Sequence, residues 1–384
     1  MRNLMNYLKQ YGNKAFSEFK FNEIDGLILT EITYFSIEYL MNEDTIYTIE
    51  DLFIDDNLQN LIIDTFSPKK NIKLMKLIRM CSRFNKAKIV MLRNKFSYNS
   101  CEQFYALTYI FQNFMYVAYR GTDLTFLGWK ENFNMSYLNE IPSQRDAVIY
   151  LMDVYKKYNM PFYVGGHSKG GNLAVYAAMY CAEDVKKNII EIHNFDGPGF
   201  YKDITKTKEF LELQDKMITV TTKAAIVGLL LYHTKNISII NARSVSILAH
   251  EPYNWEVTKD GKFKRIKKNT IASRWFQRTV RIFFHLTTEK ERENFVNLLF
   301  KLILRSEKIG VNDFRRHPIK FMRDTKIMKK TLTLEEQGYL KVELKKVNAS
   351  VKLALKYKLK EMKTGKKDDY SDLKIEDLKI KGFD

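Results

Sequence analysis

FYVGGHSKGGNLAVYAA, residues 162–178, decides the reading of this chain. Three strand-forming residues, Phe162, Tyr163 and Val164, run into Gly166-His167-Ser168-Lys169-Gly170, a G-x-S-x-G element, and a helical run follows. A serine on such a strand-turn-helix corner sits on a strained backbone, and the residues two positions away on each side must be small for strand and helix to approach. Gly166 and Gly170 meet that need, and Ala174, Ala177 and Ala178 supply a small helix face for packing on a sheet. The turn also aims backbone N–H groups and the positive end of the helix dipole at the space above Ser168, where an oxyanion forms in acyl transfer. Ser168 is therefore the candidate nucleophile.

Working outward, strand and helix patterns alternate from about residue 114 to 256, which predicts a mostly parallel sheet. Strands are expected at 88–93, 104–111, 114–119, 188–195, 217–222 and 237–242, and an amphipathic helix at 143–158 leads into the Ser168 strand. The strand at 114–119 ends in Arg120-Gly121-Thr122-Asp123, where a glycine followed by a small hydroxyl residue can bring a backbone N–H towards the serine. Thr122 and Lys169 are the expected oxyanion donors. The strand at 188–195 ends in Asp196-Gly197-Pro198-Gly199, and ligand chemistry gathers at such carboxyl ends of open α/β sheets.

A serine nucleophile needs a base and an orienting acid. Of the six histidines, His167 adjoins the serine with a diverging side chain and His193 lies inside a strand. In the order Ser, acid, His, His250 follows the last expected strand and is the favoured base, with His233 in reserve; His285 and His317 belong to later helices. Asp196 is the favoured acid. Asp203 is its rival, and Glu251 is too near His250 in sequence to orient the ring. The expected chemistry is proton removal from Ser168 by His250, tautomer control by Asp196, and charge stabilisation by the N–H groups of Thr122 and Lys169.

Composition bounds the class. A chain of 384 residues with 45% hydrophobic content can bury a sizeable core. Cys81, Cys101 and Cys181 lack metal-ligand spacing and read as reduced core residues, so neither a disulfide framework, a metal nor a cofactor is expected. No signal-peptide pattern is present, and the longest apolar run, 224–232, is too short to span a bilayer. A cytoplasmic protein is expected. The net charge of +18 is unevenly placed: residues 257–384 carry 34 Lys and Arg against 17 Asp and Glu. Helices are predicted at 274–286, after the capping signature at 288–291, and at 333–363, where a leucine-rich stripe runs beside lysines. This basic region suggests peripheral contact with an anionic membrane. Nucleic acid is the weaker partner, because no zinc finger, RRM-like signature or glycine-rich loop accompanies the lysines.

Tyr119-Arg120-Gly121-Thr122-Asp123 with Trp129, then Gly166-His167-Ser168-Lys169-Gly170-Gly171, then Asn194-Phe195-Asp196-Gly197-Pro198-Gly199, together resemble the class 3 (fungal-type) lipases, and most nearly a bacterial Mbeg-like branch of them. The resemblance covers roughly residues 20–310, including His250-Glu251-Pro252-Tyr253-Asn254-Trp255. It implies an α/β-hydrolase with a mostly parallel central sheet and a serine esterase acting on acyl esters or lipids, with Ser168, Thr122 and His250 at the matching positions. The acid departs from the family pattern, which places it after a later strand; the corresponding Val220-Thr221-Thr222 has no carboxylate. The basic helical C-terminal region also has no counterpart there. The expected organisation is a lipase-like domain at 1–310, a basic helical extension at 311–363 and a disordered tail at 364–384. The alternative function is a catalytically weak hydrolase scaffold that binds anionic membrane through its basic helices.

Overall fold

A computed structural model of the protein describes residues 1–41, 46–53, 58–63, 65, 67–233, 236–304 and 330–364. The chain forms two compact units, one of residues 1–132 and 139–268, the other of 133–138 and 269–384.

The first unit is built on a nine-stranded sheet whose spatial order is the chain order. The strands are β1 (Tyr47–Thr48), β2 (Lys88–Ser97), β3 (Glu102–Ile110), β4 (Met115–Tyr119), β5 (Phe162–His167), β6 (Ile189–Phe195), β7 (Met217–Thr222), β8 (Ile237–Ile240) and β9 (Arg265–Ile266). From β1 to β4 neighbours are antiparallel, from β4 to β8 parallel, and β9 returns antiparallel. The parallel block is the expected one, opened by the β2–β4 meander.

Each parallel step moves to the adjacent strand in the same direction. Right-handed crossovers then put the connecting helices on one face. Those helices are α5 (Pro142–Tyr158), between β4 and β5, and α6 (Lys169–Tyr180), between β5 and β6, numbering helices of eight residues or more. They pack with Phe104, Ala106, Met115, Val117, Tyr119 and Val164. The alternate strand residues Tyr105, Leu107, Tyr109, Tyr116 and Ala118 face the other way and need a second cover. The N-terminal segment supplies it with α1 (Leu4–Tyr11), α2 (Glu23–Ile32) and α3 (Pro68–Arg79). A buried ion pair, Arg83 to Asp25 at 2.6 Å, joins this cover and is completed by Tyr7, which donates to Asp25 at 2.8 Å.

The second unit is helical. It contains α7 (Ile271–His285), α8 (Glu289–Leu304) and α9 (Leu334–Thr364). The capping signature is realised: Thr288 N–H donates to Glu291 at 2.8 Å, and Glu291 N–H to Thr288 Oγ1 at 3.2 Å. The dividing line at 268/269 differs from the expected one at 310. The cause is side-chain pairing: Arg278 on α7 stacks over Tyr357 of α9, and Phe295, Leu298 and Leu302 of α8 cluster with Leu340. Residues 311–329 of the expected extension, and the tail from 365, lie outside the described residues. Among the described residues no helix is long and apolar enough to cross a membrane.

Candidate active site

Ser168 stands at the corner between β5 and α6 with φ 58° and ψ −131°. A positive φ in a residue with a side chain costs roughly 1–3 kcal/mol and persists only where surrounding structure holds it. The hold is visible. Ser168 N–H donates to Phe195 O and Gly171 N–H to Ser168 O, both at 2.9 Å. A Cβ on Gly166 would run into the Gly170 backbone, and one on Gly170 into Tyr119 O, so both glycines are demanded by the approach of helix and sheet.

Beneath the corner lies an ion pair that sequence reading missed. Lys169 Nζ donates to Glu131 Oε2 at 2.6 Å, with both side chains fully buried, and also to Gln103 O and to Gln103 Oε1 at 3.1 Å. Glu131, on α4 (Phe126–Asn134), further accepts from Ser143 Oγ at 2.6 Å and from the N–H groups of Ser143 and Gln103. Burying these charges is costly unless every oxygen and proton is engaged, which this arrangement achieves. It ties the first residue of α6 to the helix after the Arg120-Gly121-Thr122-Asp123 loop. The only sequence signal was a charged residue in an apolar elbow.

That loop passes close to the serine corner: a Cβ added to Gly121 would lie 2.6 Å from His167 O and 3.1 Å from Ser168 Cβ. Arg120 is buried, stacks over Tyr105 at 3.9 Å and has its pKa lowered by burial. Thr122 Oγ1 accepts from Asn132 at 2.7 Å. Among the described residues the backbone N–H groups of Thr122 and Lys169 have no protein acceptor.

Asp196 also has a positive φ, 51°, immediately beyond β6. Its N–H donates to Val220 O at 2.8 Å, which draws it to β7. One carboxylate oxygen accepts from Thr221 Oγ1 at 2.5 Å and the other from His250 Nδ1 at 2.6 Å. The strand that lacks the family's carboxylate thus contributes a hydroxyl that holds the carboxylate of its neighbour. With Nδ1–H engaged, His250 presents a lone pair at Nε2.

His250 ends a short 3₁₀ turn, Ser246–His250, and a second one, Pro252–Asn254, follows. The loop is fastened by Trp255 Nε1–H, which donates to Ala249 O at 2.9 Å. His167 Nε2 meets the His250 carbonyl at 2.9 Å, and the two imidazole rings lie 4.4 Å apart. Burial, reinforced by the neighbouring His250, holds the His167 pKa well below the ordinary histidine range. Among the described residues Ser168 Oγ forms no hydrogen bond, so the serine and His250 are not bonded to each other here. Such contacts are often long before substrate binds.

The rejected candidates lie elsewhere. His233 lines a small cavity with Phe200, Ile204 and Met217. Asp203 caps an exposed turn by accepting from Thr205. His193 is buried on β6 against Glu191, and His285 is exposed on α7. His317 falls outside the described residues. Within the apolar run at 224–231, Val227–Leu229 form a 3₁₀ turn.

A search of curated proteins finds no match. Among solved structures the chain is similar to one titled "Crystal structure of M37 lipase", at 16% identity and a TM-score of 0.33, covering 54% of this chain and 70% of that one. The profile of the Mbeg1-like family matches residues 78–301, more than half of the sequence and the whole stretch from the β2–β4 meander to His250. The chain belongs to the Mbeg1-like family.

Proposed function

We propose that the protein is a serine hydrolase of carboxylic esters, with Ser168 as nucleophile, His250 as base, Asp196 as orienting acid, and the N–H groups of Thr122 and Lys169 as oxyanion donors. The observation that carries this reading is the Thr221–Asp196–His250 chain of short hydrogen bonds ending beside a strained serine corner. His250 Nε2 takes the hydroxyl proton as Ser168 Oγ attacks the ester carbon, and the carbonyl electrons move onto oxygen. Collapse expels the alcohol, which takes that proton from His250. Water, deprotonated by His250 in turn, releases the carboxylic acid and restores the serine.

Acyl esters, including lipid esters, are the proposed substrate class. The test is hydrolysis of p-nitrophenyl esters of graded chain length by the whole chain, with Ser168→Ala alongside. Turnover by the wild type and at least about a 10³-fold loss in the variant is the expected result. Equal rates would refute the assignment of Ser168.

A second reading is favoured by one feature of α9. Its packed face holds Leu340, Glu343, Lys346, Ser350 and Ala354, while Leu344, Leu355, Leu359 and Met362 are exposed beside Lys341, Lys345, Lys352, Lys356 and Lys363. An exposed apolar strip edged by lysines suits the boundary of an anionic bilayer. Membrane contact would place an esterase near lipid, or serve as the main role if catalysis is weak.

A further inference from the structure

His167 is a buried titratable side chain at the elbow that the proposed chemistry leaves without a task. Its surroundings determine its protonation. The His250 backbone carbonyl, 2.9 Å from Nε2, can only accept, so Nε2 must carry the proton and donate it. In the neutral ring Nδ1 is then an acceptor, and the Tyr34 hydroxyl lies 3.4 Å from it. The resulting chain runs from Tyr34 O–H to His167 Nδ1, and from His167 Nε2–H to the carbonyl of the residue that bears the base. Burial keeps this imidazole neutral, so the tautomer persists through the neutral pH range.

The consequences for geometry follow from where each group is anchored. His167 is the last residue of β5, covalently next to Ser168. His250 belongs to a loop of two short 3₁₀ turns after β8, with no long helix or strand to hold it. Asp196 fixes the ring of His250 from one side through Nδ1. That bond orients the imidazole, while the loop backbone on either side of His250 is held by Trp255 Nε1–H donating to Ala249 O and Arg243 N–H donating to Asn254 O. His167 restrains that backbone through the carbonyl and restrains the ring by stacking at 4.4 Å with a 32° tilt.

From this arrangement we infer that His167 is a positioning residue: its Nε2–H clamps the His250 backbone to the nucleophile corner and sets the distance between base and serine. The inference rests on the reading of Ser168 and His250 as nucleophile and base, and it adds a group that touches neither substrate nor reacting atom. Misplacing a reacting group by about 1 Å can cost about 10²-fold in rate. Glutamine can reproduce the donor, because its Nε2 amide reaches about as far as the imidazole Nε2; phenylalanine fills the space without donating.

Two measurements on the full chain test the clamp and keep its failure apart from a failure of the catalytic reading. The first is nitrogen NMR of isotope-labelled histidine, with the His167 signals assigned by their loss in His167→Phe. A neutral ring protonated at Nε2 near neutral pH is expected; protonation at Nδ1 would overturn the clamp whether or not the protein is an enzyme. The second is the rate of covalent labelling by a fluorophosphonate. His167→Phe should label about 10²-fold more slowly than wild type, and His167→Gln should recover most of that loss, with all three proteins equally folded by circular dichroism. Wild-type speed in His167→Phe would refute the clamp. So would equal slowing in Phe and Gln variants, since a packing role alone predicts it.

Discussion

His250 Nδ1 lies 2.6 Å from Asp196 Oδ2, although Asp196 follows β6 and not the later strand where the lipase pattern would place an acid. The shift is possible because Asp196, with a left-handed backbone, bonds to Val220 O and accepts the Thr221 hydroxyl, so β7 holds the carboxylate it does not itself provide. Asp196→Asn should leave folding intact and lower kcat for ester hydrolysis by about 10³–10⁴-fold through loss of tautomer control. Thr221→Val should cost about 10–10²-fold, the worth of one hydrogen bond to a charged group. A steady-state comparison in which Asp196→Asn retains wild-type kcat would remove Asp196 from the mechanism.

The buried pair of Lys169 and Glu131 yields a prediction about stability. Lys169→Met leaves the Glu131 carboxylate among Ser143 and Gln103 without its counter-charge, which should cost about 3–5 kcal/mol in urea unfolding. Lys169→Met combined with Glu131→Gln should recover a large part of it. A double variant no more stable than the single one would mean that the charge pairing is not what holds the elbow.

Glu31 on α2 is buried, one of its oxygens has no hydrogen-bond partner, and its carboxyl pKa is pushed up to about 8 by burial and by the nearby Glu251, against the opposing effect of Tyr253. The Tyr253 and Tyr34 hydroxyls share this pocket of charge, and Arg120 acts on Tyr34. The folded state keeps the Glu31 proton while the unfolded chain releases it above its ordinary pKa of 4.5. Stability from this group is therefore full below about pH 4.5 and falls as pH rises to about 8. Glu31→Gln should flatten that decline and be more stable than wild type above pH 8, by on the order of a few kcal/mol. Parallel denaturation curves for the two proteins across this range would contradict the account.

For α9, replacing Lys345, Lys352 and Lys356 together by glutamate should lower binding to anionic phospholipid vesicles by at least about 10²-fold, at about 1 kcal/mol per lysine. Leu355→Ser with Leu359→Ser should weaken binding with the charges intact. Cosedimentation of the triple variant at wild-type levels would dismiss the membrane reading, as would equal preference for zwitterionic vesicles.

The parts of the fold legible in sequence are those set by local periodicity. The strands at 217–222 and 189–195, the helix before β5, and the Ser168 corner follow from alternation, apolar spacing and small residues in a turn. The acid and base candidates, Asp196 and His250, follow from strand ends and chain order, and the structure brings their side chains into contact. What local pattern does not contain is pairing between distant segments. Nothing near Thr221 says that its hydroxyl will meet Asp196 on the adjacent strand, and nothing near Glu131 says that it will meet Lys169. The same reason hides the division at 268/269: α7 has an apolar face, but only the packing shows that α9 covers it.

The most direct test of the central claim is the intact mass of the purified protein after treatment with a fluorophosphonate, compared with Ser168→Ala. The account predicts one adduct per chain in the wild type, located at Ser168 by peptide mapping, and none in the variant. A folded wild type that acquires no adduct, or an adduct that persists in Ser168→Ala, would contradict it.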